Sequence, residues 1–234
     1  MRYRAVFKIV AVIIVVLITW GIANNSFDQL ETTRKILSFI DVDQRKPNSR
    51  TVAKAPEPKC SLSRVCPPHH FALHITSGAA NVVGPKICFD GKIIMSHVFN
   101  NVGPGLNVVV VNGTNGVVDK FGYLNMKLGI KKDILAYLTN IQPGMIVLVA
   151  SFDDMTTILT NEMREVFVGM GSSLIKSVKH RDNWVFAGIA GTENRSLFEK
   201  HAVNDQKTNI YEGWPDVVEL SGCFPRTLTD GQTT

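Results

Sequence analysis

Two short segments hold the side chains best suited to chemistry. Asp153-Asp154 follows the apolar run Met145 to Ser151 and precedes a helix start at Thr160. In open α/β sheets, ligands collect beyond the carboxyl ends of strands, so carboxylates there are placed to accept hydrogen bonds from the hydroxyls of a polyol. His180-Arg181-Asp182-Asn183-Trp184 sets a planar donor, a carboxylate, an amide and an aromatic just before another apolar run. Sugar sites use that mixture: polar rims grip hydroxyls while an aromatic face covers the apolar side of the ring. Each segment also has a plainer reading. Asp153-Asp154 would serve as an Asx turn leading into the helix, and Arg181-Asp182 as a surface pair with Trp184 in the core.

No catalytic constellation is visible. The chain has no GxSxG elbow and no HExxH, and Ser77-Gly78-Ala79-Ala80-Asn81-Val82-Val83-Gly84-Pro85 lacks the Lys-Ser/Thr ending of a phosphate loop, so it reads as turn structure. Asn100 to Gly105 reads the same way. The four cysteines form no CxxC pair, and His69 and His70 complete no ligand spacing. No metal, no cofactor and no enzymatic activity are therefore expected.

The elements that must position these residues are short apolar runs punctuated by Gly, Pro and Asn. Phe71 to Thr76, Ile87 to Met95, Leu106 to Asn112, Met145 to Ser151 and Trp184 to Ala190 read as strands, and Val117 to Leu124 as a hairpin partner returning after Asn112-Gly113-Thr114-Asn115-Gly116. Ile130, Ile134, Leu135, Leu138 and Ile141 recur at helical spacing up to Pro143-Gly144, and Thr160 caps a second helix with Met163, Val166, Phe167 and Met170 on one face. Strands with two intervening helices predict an α/β sandwich. Tyr211-Glu212-Gly213-Trp214-Pro215 is read as a structural turn packing under the Cys223 bridge.

The net charge of +5 would raise nucleic acid as a partner if it were spread evenly. It is not: residues 1–59 carry ten Lys or Arg against five Asp or Glu, and residues 60–234 carry fifteen of each. Nucleic acid is therefore not expected. Arg2, Arg4 and Lys8 precede Ile9 to Ala23, fifteen residues without charge, short for a membrane span of about 20. Residues 1–23 read as a signal peptide cut after Ala23, or as an uncleaved signal anchor that would leave a Golgi type II protein. Residues 24–59, with Pro47, Pro56 and Pro58 among many charges, read as a stalk, residues 60–226 as the folded domain and 227–234 as a flexible tail.

Cys60, Cys66, Cys88 and Cys223 all fall after the leader, an even number that suggests two disulfides, with three pairings open. Any partner of Cys223 closes a loop of more than a hundred residues, worth about 5 kcal/mol of unfolded-state restriction. Asn112-Gly113-Thr114 and Asn194-Arg195-Ser196 are glycosylation sequons, which place Asn112 and Asn194 as acceptors in an exported chain.

Ser77 to Pro85, Asn100-Asn101-Val102-Gly103, Arg181-Asp182-Asn183-Trp184-Val185-Phe186 and Tyr211 to Pro215 resemble signature segments of the family with sequence similarity three, the cytokine-like group of interleukin-like EMT inducers and the pancreatic-derived factor. The resemblance runs from about Cys60 to Pro225. It implies a compact β-β-α fold, a GG-type lectin domain, and bridges Cys60–Cys88 and Cys66–Cys223. Its similarity to the stem domain of a Golgi N-acetylglucosaminyltransferase implies that sugar is contacted at Asp153 and Arg181. A further Arg of that pattern falls on Pro104, which cannot donate. The implied function is a secreted, non-enzymatic, cytokine-like signal with a glycan or glycoprotein ligand and a cell-surface receptor. A homodimer and a receptor-binding factor without sugar recognition are the alternatives carried forward.

Overall fold

Four consecutive valines, Val108 to Val111, leave β4 (Gly105–Asn112) with no polar face, and the fold covers both of them. In the computed structural model, which describes residues 14–17, 19–20 and 56–227, β4 lies inside a five-stranded sheet of order β5-β4-β6-β7-β8. Its other members are β5 (Val118–Asn125), β6 (Met145–Phe152), β7 (Asn183–Ile189) and β8 (Phe198–Ala202). A second sheet has the order β3-β2-β1-β9, from β1 (His70–Thr76), β2 (Lys86–Phe89), β3 (Lys92–Ser96) and β9 (Glu219–Pro225). Every pairing in both sheets is antiparallel.

Alternation along β4 sorts its side chains into two cores. Val109 and Val111 meet Phe71, Leu73, Ile75 and Ile87 of the other sheet. Leu106, Val108 and Val110 meet the two helices, α1 (Lys131–Thr139) and α2 (Asn161–Val168), through Ile134, Leu138, Met163 and Phe167. The layers are thus sheet, sheet and helices, the β-β-α arrangement expected. Thr160 caps α2 by accepting from the Met163 amide at 3.3 Å, and Phe167 packs edge-on to Trp184 at 5.4 Å.

Three local expectations change. Ile87 to Met95 is a hairpin rather than one strand, because Asp90 and Gly91 both take positive φ, 46° and 92°, and reverse the chain between β2 and β3. β8 and β9 have no counterpart in the apolar-run reading; both are short, half-buried and interrupted by charged or small residues. Because the sheets are antiparallel, the carboxyl-end rule for open parallel sheets does not locate a site here.

The bridges are Cys60–Cys88, 28 residues apart with Cα atoms 5.7 Å apart, and Cys66–Cys223, 157 residues apart with Cα atoms 5.4 Å apart. Cys88 on β2 and Cys223 on β9 flank β1, opposite His74 and Ala72, so the two bridges strap the chain across the outer face of that strand. Pro56–Thr234 is one compact unit and Met1–Ala55 another; in the latter, residues 14–17 and 19–20 are helical. No helix among the described residues is long and apolar enough to cross a membrane. The rest of the expected leader and stalk, and the tail beyond Thr227, lie outside the described residues.

Candidate functional site

β6 ends at Phe152, and the next residue, Asp153, turns the chain with a φ of 55°. Its amide donates to the Ala80 carbonyl at 3.2 Å, tying the strand end to the Gly-rich loop after β1. One carboxylate oxygen of Asp153 accepts from the Asp154 amide at 2.7 Å and the other meets the Lys127 ammonium at 2.6 Å. Asp153 is buried, 7% exposed.

Asp154 is spent on the backbone and its neighbours. It accepts from the Thr156 amide and hydroxyl at 3.0 and 2.7 Å, the Thr157 hydroxyl at 2.8 Å, His180 Nδ1 at 3.0 Å and the Arg181 amide at 3.2 Å. Burial alone would raise its pKa, but the Thr156 and Thr157 hydroxyls and the Arg181 and Thr156 amides outweigh it and hold the carboxyl at about 2, against an ordinary 3.8. The folded state therefore gains stability above pH 3.8 and loses it as pH falls toward 2, on the order of 2 kcal/mol. The thermal midpoint is expected to drop between pH 4 and 2, and Asp154→Asn to flatten that part of the profile.

Arg181 stands in the turn before β7, itself at a φ of 60°. Asp182 anchors this turn: it is 1% exposed and accepts from the Lys179 amide, the Asn204 amide and His201 Nε2, each at 2.7 Å. With the turn held on one side by Asp154 and on the other by Asp182, the guanidinium of Arg181 lies 4.6 Å from the centre of the Trp214 ring. Gly213, at a φ of 72°, makes this stack possible, since a Cβ there would sit 2.9 Å from Arg181 Nη1. Among the described residues no carboxylate and no hydrogen-bond acceptor engages that guanidinium, so its N–H donors remain available to a ligand.

Trp214 also lines an open cleft of about 420 Å³ between the 79–83 loop and the 211–214 turn, with Tyr211 39% exposed beside it. Neither candidate residue lines this cleft; each reaches it through one lining residue, Arg181 by stacking on Trp214 and Asp153 by donating its amide to the Ala80 carbonyl. Asp153 and Arg181 come together through Asp154, which is next to one and accepts from the other, but they do not contact each other. Pro104 lies one residue beyond the paired Gly105 and Phe152, hence close to Asp153. The cation that the resemblance implied at position 104 is missing, and Lys127 brings one to Asp153 from the loop after β5.

Trp184 belongs to the core, fully buried, stacked on Phe186 and donating through Nε1 to Glu199 at 2.9 Å. The plainer reading thus holds for Trp184 but not for its neighbours: Asp182 is buried on Lys179, Asn204 and His201, and Arg181 stacks on Trp214, so the two form no surface pair. Trp214, by contrast, serves Arg181 and the cleft, whereas Leu62 and Ala72 pack at the bridges. Lys127 escaped the sequence reading altogether; a lysine in a loop carries no local sign of the carboxylate it meets. Of the sequon residues, Asn112 is half-buried and accepts from the Thr114 amide and hydroxyl and the Asn115 amide, and Asn194 is exposed between β7 and β8. No cluster of three His, Cys, Asp or Glu among the described residues could hold a metal ion.

The family model for interleukin-like EMT inducers matches residues 104–192, which span β4 to β7 and carry Asp153 and Arg181. The chain is 41% identical over 227 residues to protein FAM3C of Rattus norvegicus, covering 97% of this chain and 99% of that one. It is 39% identical over 233 residues to protein FAM3A of Pongo abelii, with 98% and 99% covered. Protein FAM3D of Mus musculus is 38% identical over 228 residues, with 97% and 100% covered.

Proposed function

Because the chain belongs to the FAM3 family of cytokine-like proteins, we propose that it is a secreted, non-enzymatic signal whose domain recognises carbohydrate at the cleft beside Arg181. The observation that carries this reading is the guanidinium of Arg181, fixed on Trp214 with unspent donors. Those donors suit hydroxyl or acetamido oxygens, and Tyr211 at the cleft wall offers an aromatic face. Asp153, whose carboxylate oxygens already meet the Asp154 amide and Lys127, accepts from a sugar hydroxyl only where Lys127 gives way. An Asp154 carboxyl with a pKa of about 2 stays ionised at neutral pH, which suits fixing the loop rather than transferring protons.

A single sugar held through a few exposed hydrogen bonds binds at roughly millimolar concentration, about 4 kcal/mol. NMR titration with an N-acetylglucosamine-terminated glycan is expected to shift resonances of Arg181 and Trp214. Arg181→Ala is expected to weaken binding by about tenfold or more, since a hydrogen bond from a charged donor is worth about 1.5–3 kcal/mol. No shift near Arg181 in the wild type would end the reading.

A second reading, a receptor-binding factor without sugar recognition, draws on two facts: Pro104 cannot donate, and Asp153 is already engaged by Lys127. Capture of a receptor that survives enzymatic deglycosylation of that receptor favours it. Secretion predicts a mature N-terminus near Asn24 and N-glycan on the exposed Asn194 and on Asn112, both read by mass spectrometry of protein from the medium; a start at Met1 in membranes favours a Golgi anchor instead.

A further inference from the structure

The loop that delivers Lys127 to Asp153 has a second feature, which the sugar site does not use. Leu128 is 87% exposed and Ile130 65% exposed, and between them stands only Gly129. Single exposed aliphatic residues are common and need no explanation. Here two occur within three residues, and exposed Lys131 and Lys132 follow them directly, while Lys127 before them is paired with Asp153. Val82 with Val83 and Val98 with Phe99 are exposed pairs too, and Leu197 is exposed alone, but no lysine adjoins any of them in the chain.

Local hydrogen bonds keep the tip from folding its apolar side chains back. The Asn125 carboxamide oxygen accepts from the Lys127 and Leu128 amides at 3.0 and 2.9 Å, and the Asn125 carbonyl accepts from Gly129 at 2.9 Å. Gly129 is pressed so close that a Cβ would lie 2.4 Å from that carbonyl and 2.8 Å from Ile134. Ile134 thus fills the space beneath the loop while Leu128 and Ile130 point away from the core. Lys131 and Lys132 open α1, where the helix dipole disfavours cations, so the fold itself gains nothing from them; Asp133 offsets one charge only.

We propose that loop 127–132 docks on an anionic lipid bilayer, with Leu128 and Ile130 entering the headgroup boundary and the lysines resting on the negative surface. A soluble polyanion would use the lysines and leave the aliphatic residues in water, so the paired exposure favours lipid. Each lysine near an anionic surface strengthens binding by about fivefold, and each aliphatic side chain taken from water by roughly tenfold.

The test is co-sedimentation of the chain from Asn24 onward, the secreted form that the proposed function gives, with vesicles of phosphatidylcholine alone or mixed with phosphatidylserine, so that the apolar run Ile9 to Ala23 adds no partitioning of its own. The wild type is expected to partition onto the serine-containing vesicles in a salt-sensitive way. Leu128→Asp with Ile130→Asp, and separately Lys131→Glu with Lys132→Glu, are each expected to weaken this by at least about tenfold with unchanged thermal midpoints. Should the aspartate pair lower the midpoint, Leu128→Ser with Ile130→Ser gives the same reading. Equal sedimentation of wild type and the aliphatic variants overturns the proposal. So does a variant pair that loses nothing on vesicles while the lysine pair loses retention on heparin, which would assign the loop to a soluble polyanion.

Discussion

Asp182→Ala is expected to destabilise the folded domain by about 3–5 kcal/mol, the cost of removing one partner from a buried, hydrogen-bonded charge. The side chain is 1% exposed and satisfies two backbone amides, Lys179 and Asn204, together with His201. Each amide left unpaired carries its own desolvation cost. The nearly isosteric Asp182→Asn separates charge from shape. An amide offers one acceptor where the carboxylate uses two, so its NH2 group must face a backbone N–H, and a loss of about 2–3 kcal/mol is expected. Urea unfolding at neutral pH checks both. Because Asp182 holds the turn that aims Arg181 at Trp214, the same variants are expected to weaken glycan binding even at temperatures where the domain stays folded. A stability loss under 1 kcal/mol for Asp182→Ala would mean the turn is held by something other than this carboxylate.

The second large effect concerns the long bridge. Replacing Cys66 and Cys223 by alanine releases a 157-residue loop, and replacing Cys60 and Cys88 releases one of 28 residues. Chain entropy assigns about 5 kcal/mol to the first and about 3.6 kcal/mol to the second, so the Cys66–Cys223 pair is expected to cost about 1.5 kcal/mol more. β9 enters the sheet only from the far end of the chain and pairs with β1 alone, so the bridge also keeps that edge strand in register. Urea midpoints of the two double variants give the order directly. Equal or reversed costs would show that native packing around Cys60 and Cys88, rather than loop closure, sets the stability of the straps.

Several elements could be read without coordinates because each depends on neighbours a few residues away. The valines of β4, the run of β6, the Thr160 cap and the i, i+3, i+4 face of α2 all announce themselves through local periodicity. The Asp90-Gly91 reversal is equally local, an Asp-Gly pair inside an apolar run, the dipeptide that tight hairpins favour. β8 and β9 could not be found this way: each is an edge strand with one half-covered face and a mixed composition.

The same division runs through the site. The sequence alone determined that the two polar segments flank strands, that four cysteines are bridged in pairs, and that the excess charge lies in the first quarter of the chain. Only the tertiary structure decided which aromatic does what: Trp184 goes into the core and Trp214, thirty residues later, becomes the platform for Arg181. It also decided that Asp154 and Asp182 hold backbone, that Asp153 meets Lys127, and that a cleft opens between residues 79–83 and 211–214. The reason is physical. Periodicity records how much of a segment is taken from water, which is a local property, whereas the partner of a charge or a ring is chosen by sheet order, and sheet order here joins residues more than a hundred positions apart.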